Sequence, residues 1–190
     1  MSTITKRALE ASLKKLVKTK PLNKITVSDI TDDCGINRMT FYYHFKDIYD
    51  LVEWICYEDA AKVLGDNKTY DTWQEGFLDL FGLVLENKDF ITNVYNSVGK
   101  EHIENYLYKL TFKLMEDVVE EQAEGMNVTT VDKYFIANFY KYAFVGLMLE
   151  WIKDGMKKDP KEIIEKLSAV IQGSIKEALN RLKISQFNQK

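Results

Sequence analysis

Apolar residues recur at helical spacing along almost the whole chain of 190 residues. Near the N-terminus, Leu9, Leu13, Leu16 and Val17 share one helical face, and lysines occupy the opposite face. The same period returns in segment after segment, and no stretch predicts a sheet. The pattern therefore predicts an all-α fold of about nine helices. The predicted helices cover residues 4–19, 26–35, 38–45, 47–64, 70–87, 89–97, 100–124, 130–154 and 159–184.

The second and third predicted helices are short and are joined by a tight turn. The hydroxyl of Thr26 can cap the second helix, and Gly35 can take the left-handed conformation that ends it. Asn37 is a favourable N-cap for the third helix, in which Phe41 and Phe45 lie four residues apart and face inward. This arrangement predicts a helix-turn-helix.

The outward face of the third predicted helix carries basic, hydroxyl and aromatic side chains. A helix fits the major groove of DNA, where its side chains reach base edges, while basic and hydroxyl groups contact phosphates. The predicted DNA contacts are Arg38, Thr40 and Tyr43 to base edges, Met39 to a thymine methyl, and Thr26, Tyr42, His44 and Lys46 to phosphate.

The alternative is an ordinary three-helix packing unit with a polar surface, which is a common arrangement. Two features argue against it. Helices this short are poor independent elements, and the face formed by Phe41 and Phe45 cannot bury Tyr42 and Tyr43.

Residues 4–64 resemble the DNA-binding region of the TetR family. The resemblance implies that Arg38 to His44 enter the major groove and that Thr26, Tyr42 and Lys46 hold the backbone. At three positions this sequence departs from the residues that the family often has, namely at Met39, Cys34 and Ile48. These differences imply weaker binding to phosphate and an altered base preference. The matching segments are Ile25-Thr26-Val27-Ser28-Asp29-Ile30, Cys34-Gly35-Ile36-Asn37, Thr40-Phe41-Tyr42-Tyr43-His44-Phe45-Lys46 and Leu51.

The resemblance also implies a second domain, at residues 65–190, that binds an effector and dimerises. Predicted helices 130–154 and 159–184 are apolar on more than one side, so each needs more than one packing partner. Pairing them with their copies in a four-helix interface predicts a homodimer. A monomeric core is the alternative.

Aromatic residues are frequent in the middle of the chain and are candidates for an effector pocket. A pocket of this kind is apolar and contains few polar groups. An aromatic stripe is more often simply core, so that alternative stays open. The predicted pocket residues are Trp73, Phe77, Phe81, Tyr106, Phe112, Phe139 and Tyr142.

Residues 146–160 are similar to the C-terminal domain of a TetR subgroup that includes regulators of dihydroxyacetone kinase operons. The alternative interpretation of these residues is purely structural. In it, Trp151 packs to hold the penultimate helix in place, and Gly155 ends that helix.

Composition and charge restrict the class of protein and the partners that it can bind. The chain is 46% hydrophobic and 29% charged, as in a soluble globular protein. The net charge is -3, but residues 1–50 carry nine Lys and Arg against six Asp and Glu, a net +3, so the predicted DNA-binding end is locally basic. No signal peptide or membrane span is predicted, and Cys34 and Cys56 do not suggest a disulfide, which favours the cytoplasm.

No catalytic, cofactor or metal motif accompanies His44 and His102, the two histidines. The sequence therefore predicts a DNA-binding transcriptional regulator, a dimeric repressor controlled by a small-molecule effector. The alternative is a regulator, or an activator, controlled by a protein co-regulator bound to the C-terminal domain. A helical enzyme would need a cleft with converging titratable groups, which the sequence does not indicate.

Overall fold

The structure is a computed structural model that describes residues 2–64, 69–97 and 100–183. All regular secondary structure in these ranges is helical, which confirms the predicted all-α fold. A 3₁₀ turn, Leu22–Lys24, lies between the first two α-helices. The α-helices are α1 (Ser2–Leu16), α2 (Val27–Cys34), α3 (Arg38–His44), α4 (Ile48–Leu64), α5 (Trp73–Glu86), α6 (Lys88–Tyr95), α7 (Lys100–Gln122), α8 (Thr130–Lys153), α9 (Pro160–Ile171) and α10 (Ser174–Leu182).

The last predicted helix is two helices in the structure. Asp159 caps α9, and Pro160 occupies its first turn. Helix α9 ends at Ile171, and Gly173, which adopts φ +75°, is the N-cap residue of α10. A left-handed residue cannot continue a right-handed helix, so the single helix predicted over 159–184 is wrong at this point. Ile184 lies outside the described residues.

The chain forms two compact units that are not continuous in sequence. The first unit comprises Met1–Lys62 and Leu83–Tyr106, and the second comprises Val63–Gly82 and Leu107–Lys190. The sequence predicted a linear division at residue 64, and residue 65 lies outside the described ranges. The assignment of DNA binding to residues 4–64 and of effector binding and dimerisation to residues 65–190 stays a prediction. The segment containing α6 belongs to the compact unit that contains α1 to α3.

The core of the first unit is built from the inward faces of its short helices. Ser12 adds a buried polar link, because its hydroxyl donates to the backbone oxygen of Ile30 at 3.0 Å and ties α1 to α2. Ion pairs from Arg7 to Glu58 and from Lys14 to Asp59 connect α1 with α4. The buried apolar residues include Leu9, Leu13, Val17, Leu22, Ile25, Ile30, Phe41, Phe45, Leu51, Val52, Ile55, Phe90 and Val94.

The core of the second unit is rich in aromatic rings. Phe77 stacks on Phe144 with 4.2 Å between ring centroids, and Trp73 meets Phe144 edge-on at 5.3 Å. The Trp151 indole N–H donates to the backbone oxygen of Lys158 at 2.9 Å, which satisfies its one polar group. This geometry agrees with the structural interpretation of Trp151.

None of the helices in the described ranges combines the length and the apolar character needed to cross a lipid bilayer.

Candidate nucleic-acid interface

Helix α3 is held in place by two aromatic anchors on its inner side. Phe41 is 0% exposed and Phe45 is 3% exposed, and their ring centroids are 5.9 Å apart. The Asn37 side chain accepts a hydrogen bond from the Met39 N–H at 2.8 Å and thereby caps the helix. A helix of only seven residues is thus fixed at its start and along its buried face.

The turn before α3 follows the predicted geometry. Gly35 has φ +67° and ψ +25°, and the Ile36 N–H returns to the Thr31 oxygen at 2.9 Å. A side chain at φ +67° is strained even though no neighbouring atom would meet an added Cβ. Glycine therefore allows α2 to end and the chain to reverse within three residues.

The predicted contact residues of α3 share its outer side. Tyr43 is 83% exposed and Met39 is 76% exposed, and Arg38 and Tyr42 are also exposed. Thr40 and His44 are half-buried, and the His44 ring lies 4.9 Å from that of Tyr43. The structure thus brings six of the eight predicted DNA contacts onto one short helix.

Lys46 follows α3 and is exposed, and its backbone N–H donates to the Asp50 carboxylate at 2.9 Å. Among the described residues, neither Arg38 nor Lys46 takes part in an ion pair. Both cations can therefore meet phosphate oxygens without first losing a protein partner.

Thr26 differs from the other predicted contacts because its polar groups are already engaged. Its backbone N–H and its hydroxyl both donate to the Asp29 carboxylate, at 2.7 and 2.8 Å, and the Asp29 N–H donates back to the hydroxyl at 3.1 Å. The Lys20 ammonium, 2.9 Å from the same carboxylate, and these bonds from Thr26 lower the pKa of Asp29 to about 2. The predicted cap of α2 is confirmed as a complete capping box.

The predicted pocket residues do not share one environment. Trp73, Phe77 and Phe81 are buried in the aromatic core of the second unit, and the Phe81 ring lies 4.8 Å from that of Trp151. Trp73 also borders a cleft of about 240 Å³ together with Gln74 and Ser168, among other residues.

The remaining predicted pocket residues lie elsewhere. Phe139 is 60% exposed on α8 and Tyr142 is exposed on the same helix, with the Lys141 ammonium 4.0 Å from the Tyr142 ring centroid. Phe112 is half-buried beside Tyr134, an α8 residue of the second unit. Tyr106 belongs to the first unit and donates its hydroxyl to the Cys56 oxygen at 2.5 Å.

The comparisons with known proteins assign the chain to a family. Residues 11–55 match a family model described as "Bacterial regulatory proteins, tetR family". Residues 71–173, more than half of the chain, match a model described as "Transcriptional regulator C-terminal region". The chain belongs to the TetR family. It is a DNA-binding transcriptional regulator, as the motif around Gly35 predicted.

This TetR-family protein has a relative that spans nearly its full length. It is 27% identical over 175 residues to the HTH-type dhaKLM operon transcriptional activator DhaS of Lactococcus lactis subsp. lactis (strain IL1403), covering 90% of this chain and 92% of the relative. A solved structure of the dihydroxyacetone kinase operon activator DhaS superposes with a TM-score of 0.71 at 25% identity, covering 92% of this chain and 98% of that one. The predicted similarity to this subgroup is confirmed.

The fold is also shared with a more distant repressor. Native NalD, the secondary repressor of the MexAB-OprM multidrug efflux pump in Pseudomonas aeruginosa, superposes with a TM-score of 0.58 at 14% identity, covering 98% of this chain and 100% of that one.

The two cysteines of this TetR-family protein are free thiols. Burial raises the pKa of Cys56 to about 12 and also raises that of Cys34, so both thiols are protonated at neutral pH. Within the described residues, no three His, Cys, Asp or Glu side chains form a group that could hold a metal ion. The side chain of His102 lies outside the described residues.

Sequence reasoning missed Asn93, which lies on α6 and reaches the connector between α1 and α2. Its amide group contacts backbone atoms of residues 17, 20 and 22, which are more than 70 positions away in the chain. Helical periodicity carries no information over that separation, so no sequence signal pointed to this residue.

Proposed function

We propose that this protein binds DNA as a homodimer, with one α3 helix in the major groove of each half-site. The observation that carries the proposal is the division of α3 into two faces. Phe41 and Phe45 are buried, while basic, hydroxyl and aromatic groups are presented outward on a capped helix. Two such helices would read half-sites about 34 to 36 Å apart, or a multiple of that distance.

The contacts within each half-site divide by chemistry. We assign Arg38, Thr40 and Tyr43 to base edges and Met39 to a thymine methyl. Tyr42, His44 and Lys46 are assigned to phosphates. The side chains assigned at residues 38–44 lie on α3, and Lys46 follows it by two residues.

Thr26 is the weakest of the proposed phosphate contacts. A phosphate oxygen needs a donor, and the Thr26 hydroxyl hydrogen is directed at Asp29. A phosphate contact from Thr26 would therefore require the capping box to open.

The test begins with selection of bound sequences from random DNA, followed by affinity measurements at several salt concentrations. Lys46→Ala is expected to lower the slope of log affinity against log salt by about 1, because one phosphate contact is lost. Tyr42→Phe is expected to weaken binding with little change in that slope. Lys109→Ala, which removes an exposed lysine in the second unit, is the matched control. If both interface variants bind like the wild type, the phosphate assignments are wrong.

The proposed dimer uses the outer face of α8. Aromatic and aliphatic side chains are exposed there in consecutive turns, and an apolar stripe of this length normally packs against a partner. A second copy of the chain is the partner that a two-fold DNA site requires. The exposed apolar residues of α8 include Val131, Tyr134, Phe135, Phe139, Tyr142 and Leu147.

For control, we favour the alternative of an activator that depends on a protein co-regulator. Two observations support this choice. The relative that matches most of the chain is named a transcriptional activator. Three of the predicted pocket residues, Trp73, Phe77 and Phe81, are buried and packed against other core rings, although Trp73 also borders the cleft of about 240 Å³.

A reporter assay in an unrelated bacterial host separates these modes of control. The host carries only this gene and a promoter containing the selected operator. An activator raises reporter expression and a repressor lowers it. If control requires a protein co-regulator, expression responds only when a second gene from the source genome is added. A response to an added metabolite without that gene would instead support the small-molecule effector.

A further inference from the structure

The side chain of Asn93 clamps the connector that precedes the helix-turn-helix. Its Oδ1 accepts a hydrogen bond from the Leu22 N–H at 2.7 Å. Its Nδ2 donates to the backbone oxygens of Val17 at 2.8 Å and Lys20 at 3.1 Å. One amide group from α6 thus uses both of its hydrogens and its oxygen on a single stretch of six residues.

The backbone groups that Asn93 contacts are ones that the connector leaves without regular partners. Helix α1 ends at Leu16, so the backbone carbonyls just beyond it have no helical N–H groups from which to accept hydrogen bonds. The 3₁₀ turn begins after Pro21, which has no side chain able to cap it. Asn93 therefore supplies a C-terminal cap to one helical segment and an N-terminal cap to the next.

The clamped connector leads directly to the start of α2. The Lys20 ammonium lies 2.9 Å from the Asp29 carboxylate, which completes the capping box with Thr26. Leu22, the first residue of the 3₁₀ turn, is 2% exposed, and Ile25, which follows the turn, is 5% exposed. The connector is consequently held by Asn93, by the Lys20 ion pair and by burial, so a movement of α6 would be passed to α2.

We infer that Asn93 is a positioning residue for DNA binding. It touches no DNA, and it acts by fixing the connector, and with it α2 and α3, to α6. In the proposed dimer, a connector that is not held lets each α3 shift relative to α6, so the distance between the two recognition helices becomes less sharply defined. The inference rests on the proposed function, because the distance matters only if two copies of α3 read one operator.

The experiment measures the preference for half-site spacing. Affinities of the full-length protein are determined for the selected operator and for versions in which one or two base pairs are added or removed between the half-sites. The wild type is expected to prefer one spacing strongly. Asn93→Ala is expected to reduce the ratio of affinities between the best and the altered spacings about tenfold, since three hydrogen bonds that fix the connector are lost.

The ratio distinguishes positioning from simple destabilisation. A variant that is merely less folded loses affinity for every operator by the same factor, which leaves the ratio unchanged. Asn96→Ala is the matched control, because Asn96 follows α6 directly and is exposed. It is expected to keep the wild-type ratio.

A second variant covers the case in which Asn93→Ala does not fold. Asn93→Asp keeps an acceptor for the Leu22 N–H but cannot donate to Val17 or Lys20. Because its second carboxylate oxygen would face the two carbonyl oxygens, the spacing ratio is expected to fall at least as far as in Asn93→Ala. Hydrogen exchange of the Leu22 amide, measured without DNA, is expected to be faster in Asn93→Ala than in Asn93→Asp.

The outcomes separate the two proposals. If the wild type binds selected DNA but a folded Asn93 variant keeps the full spacing preference, the positioning role is wrong and the proposed function stands. An equal loss of preference in Asn96→Ala also overturns the positioning role. If the wild type binds no selected DNA, the proposed function fails, and this inference fails with it.

Discussion

Helices α3 and α8 both expose large aromatic side chains, but they do so for different reasons. On α3, Tyr42 and Tyr43 are exposed beside the buried anchor Phe41, so the helix has one inner and one outer face. On α8, Phe135 and Phe139 are exposed although Phe144 and other residues of the same helix are buried. The first helix is amphipathic, and the second is apolar on more than one side.

The comparison shows what an exposed ring means in each context. An aromatic residue among basic and hydroxyl groups, as at Tyr43, suits a polar and charged partner such as DNA. A stripe made mainly of apolar and aromatic side chains, as at Phe135 and Phe139, suits an apolar protein surface. We expect the largest effects from changes to these two helices and smaller ones from changes to the turn and the cap that precede α3.

Removing the α3 anchor should unfold the region that holds the recognition helix. Phe41→Ala deletes a ring that is 0% exposed, and loss of a buried phenylalanine costs about 3–5 kcal/mol. Tyr43→Ala, two positions away and exposed, should change the free energy of unfolding by less than about 0.5 kcal/mol. Chemical denaturation measures both changes.

DNA binding then separates the two variants further. Tyr43→Ala is expected to stay folded and to lose affinity for the selected operator, because a contact to the bases is removed. If Tyr43→Ala binds as tightly as the wild type, the outer face of α3 does not read the operator through this residue.

Charge placed on α8 should abolish the dimer without unfolding the chain. Phe135→Lys and Phe139→Lys put a cation into an interface that must otherwise be desolvated, and we expect monomers by sedimentation equilibrium. Tyr57→Lys, at an exposed aromatic residue of α4, is the control and should leave the association unchanged. A dimer that persists in both α8 variants would show that this face serves another partner.

A smaller effect is expected at the turn that orients α3. Gly35→Ala is expected to destabilise the protein by about 1–2 kcal/mol, because alanine is strained at φ +67°. Gly82→Ala, within α5 and with open space for a Cβ, should instead stabilise it by about 0.5–1 kcal/mol. Opposite signs in thermal denaturation would confirm that the turn needs glycine and the helix does not.

The smallest expected effect is the pH dependence of the α2 cap. The pKa of Asp29 is lowered from its ordinary value of 3.8 to about 2, so its carboxylate stabilises the folded state at pH values above 3.8. This contribution is lost as pH falls through the folded pKa, between about 4 and 2. Asp29→Asn is expected to remove this part of the acid sensitivity, as measured by denaturation at several pH values. An unchanged pH profile would mean that the capping box contributes nothing measurable.

The elements that sequence analysis predicted well are those governed by near neighbours. The caps at Thr26 and Asn37, the left-handed turn at Gly35 and the buried pair Phe41 and Phe45 all depend on residues within about one helical turn. The same local pattern carried the family resemblance, which the comparisons confirmed. The break at Gly173 was missed because a glycine inside a periodic segment is compatible with either a helix or its end.

The sequence by itself determined the all-α fold, the helix-turn-helix and the outward residues of α3, because helical periodicity and capping are local. Only the tertiary structure decided which sides of α8 are buried, since a helix that is apolar on more than one side gives no single preferred face. Only the tertiary structure brought Asn93 to the connector between α1 and α2, because that contact joins residues 71 to 76 positions apart. Such contacts arise from the packing of whole helices, which residue spacing along the chain does not encode.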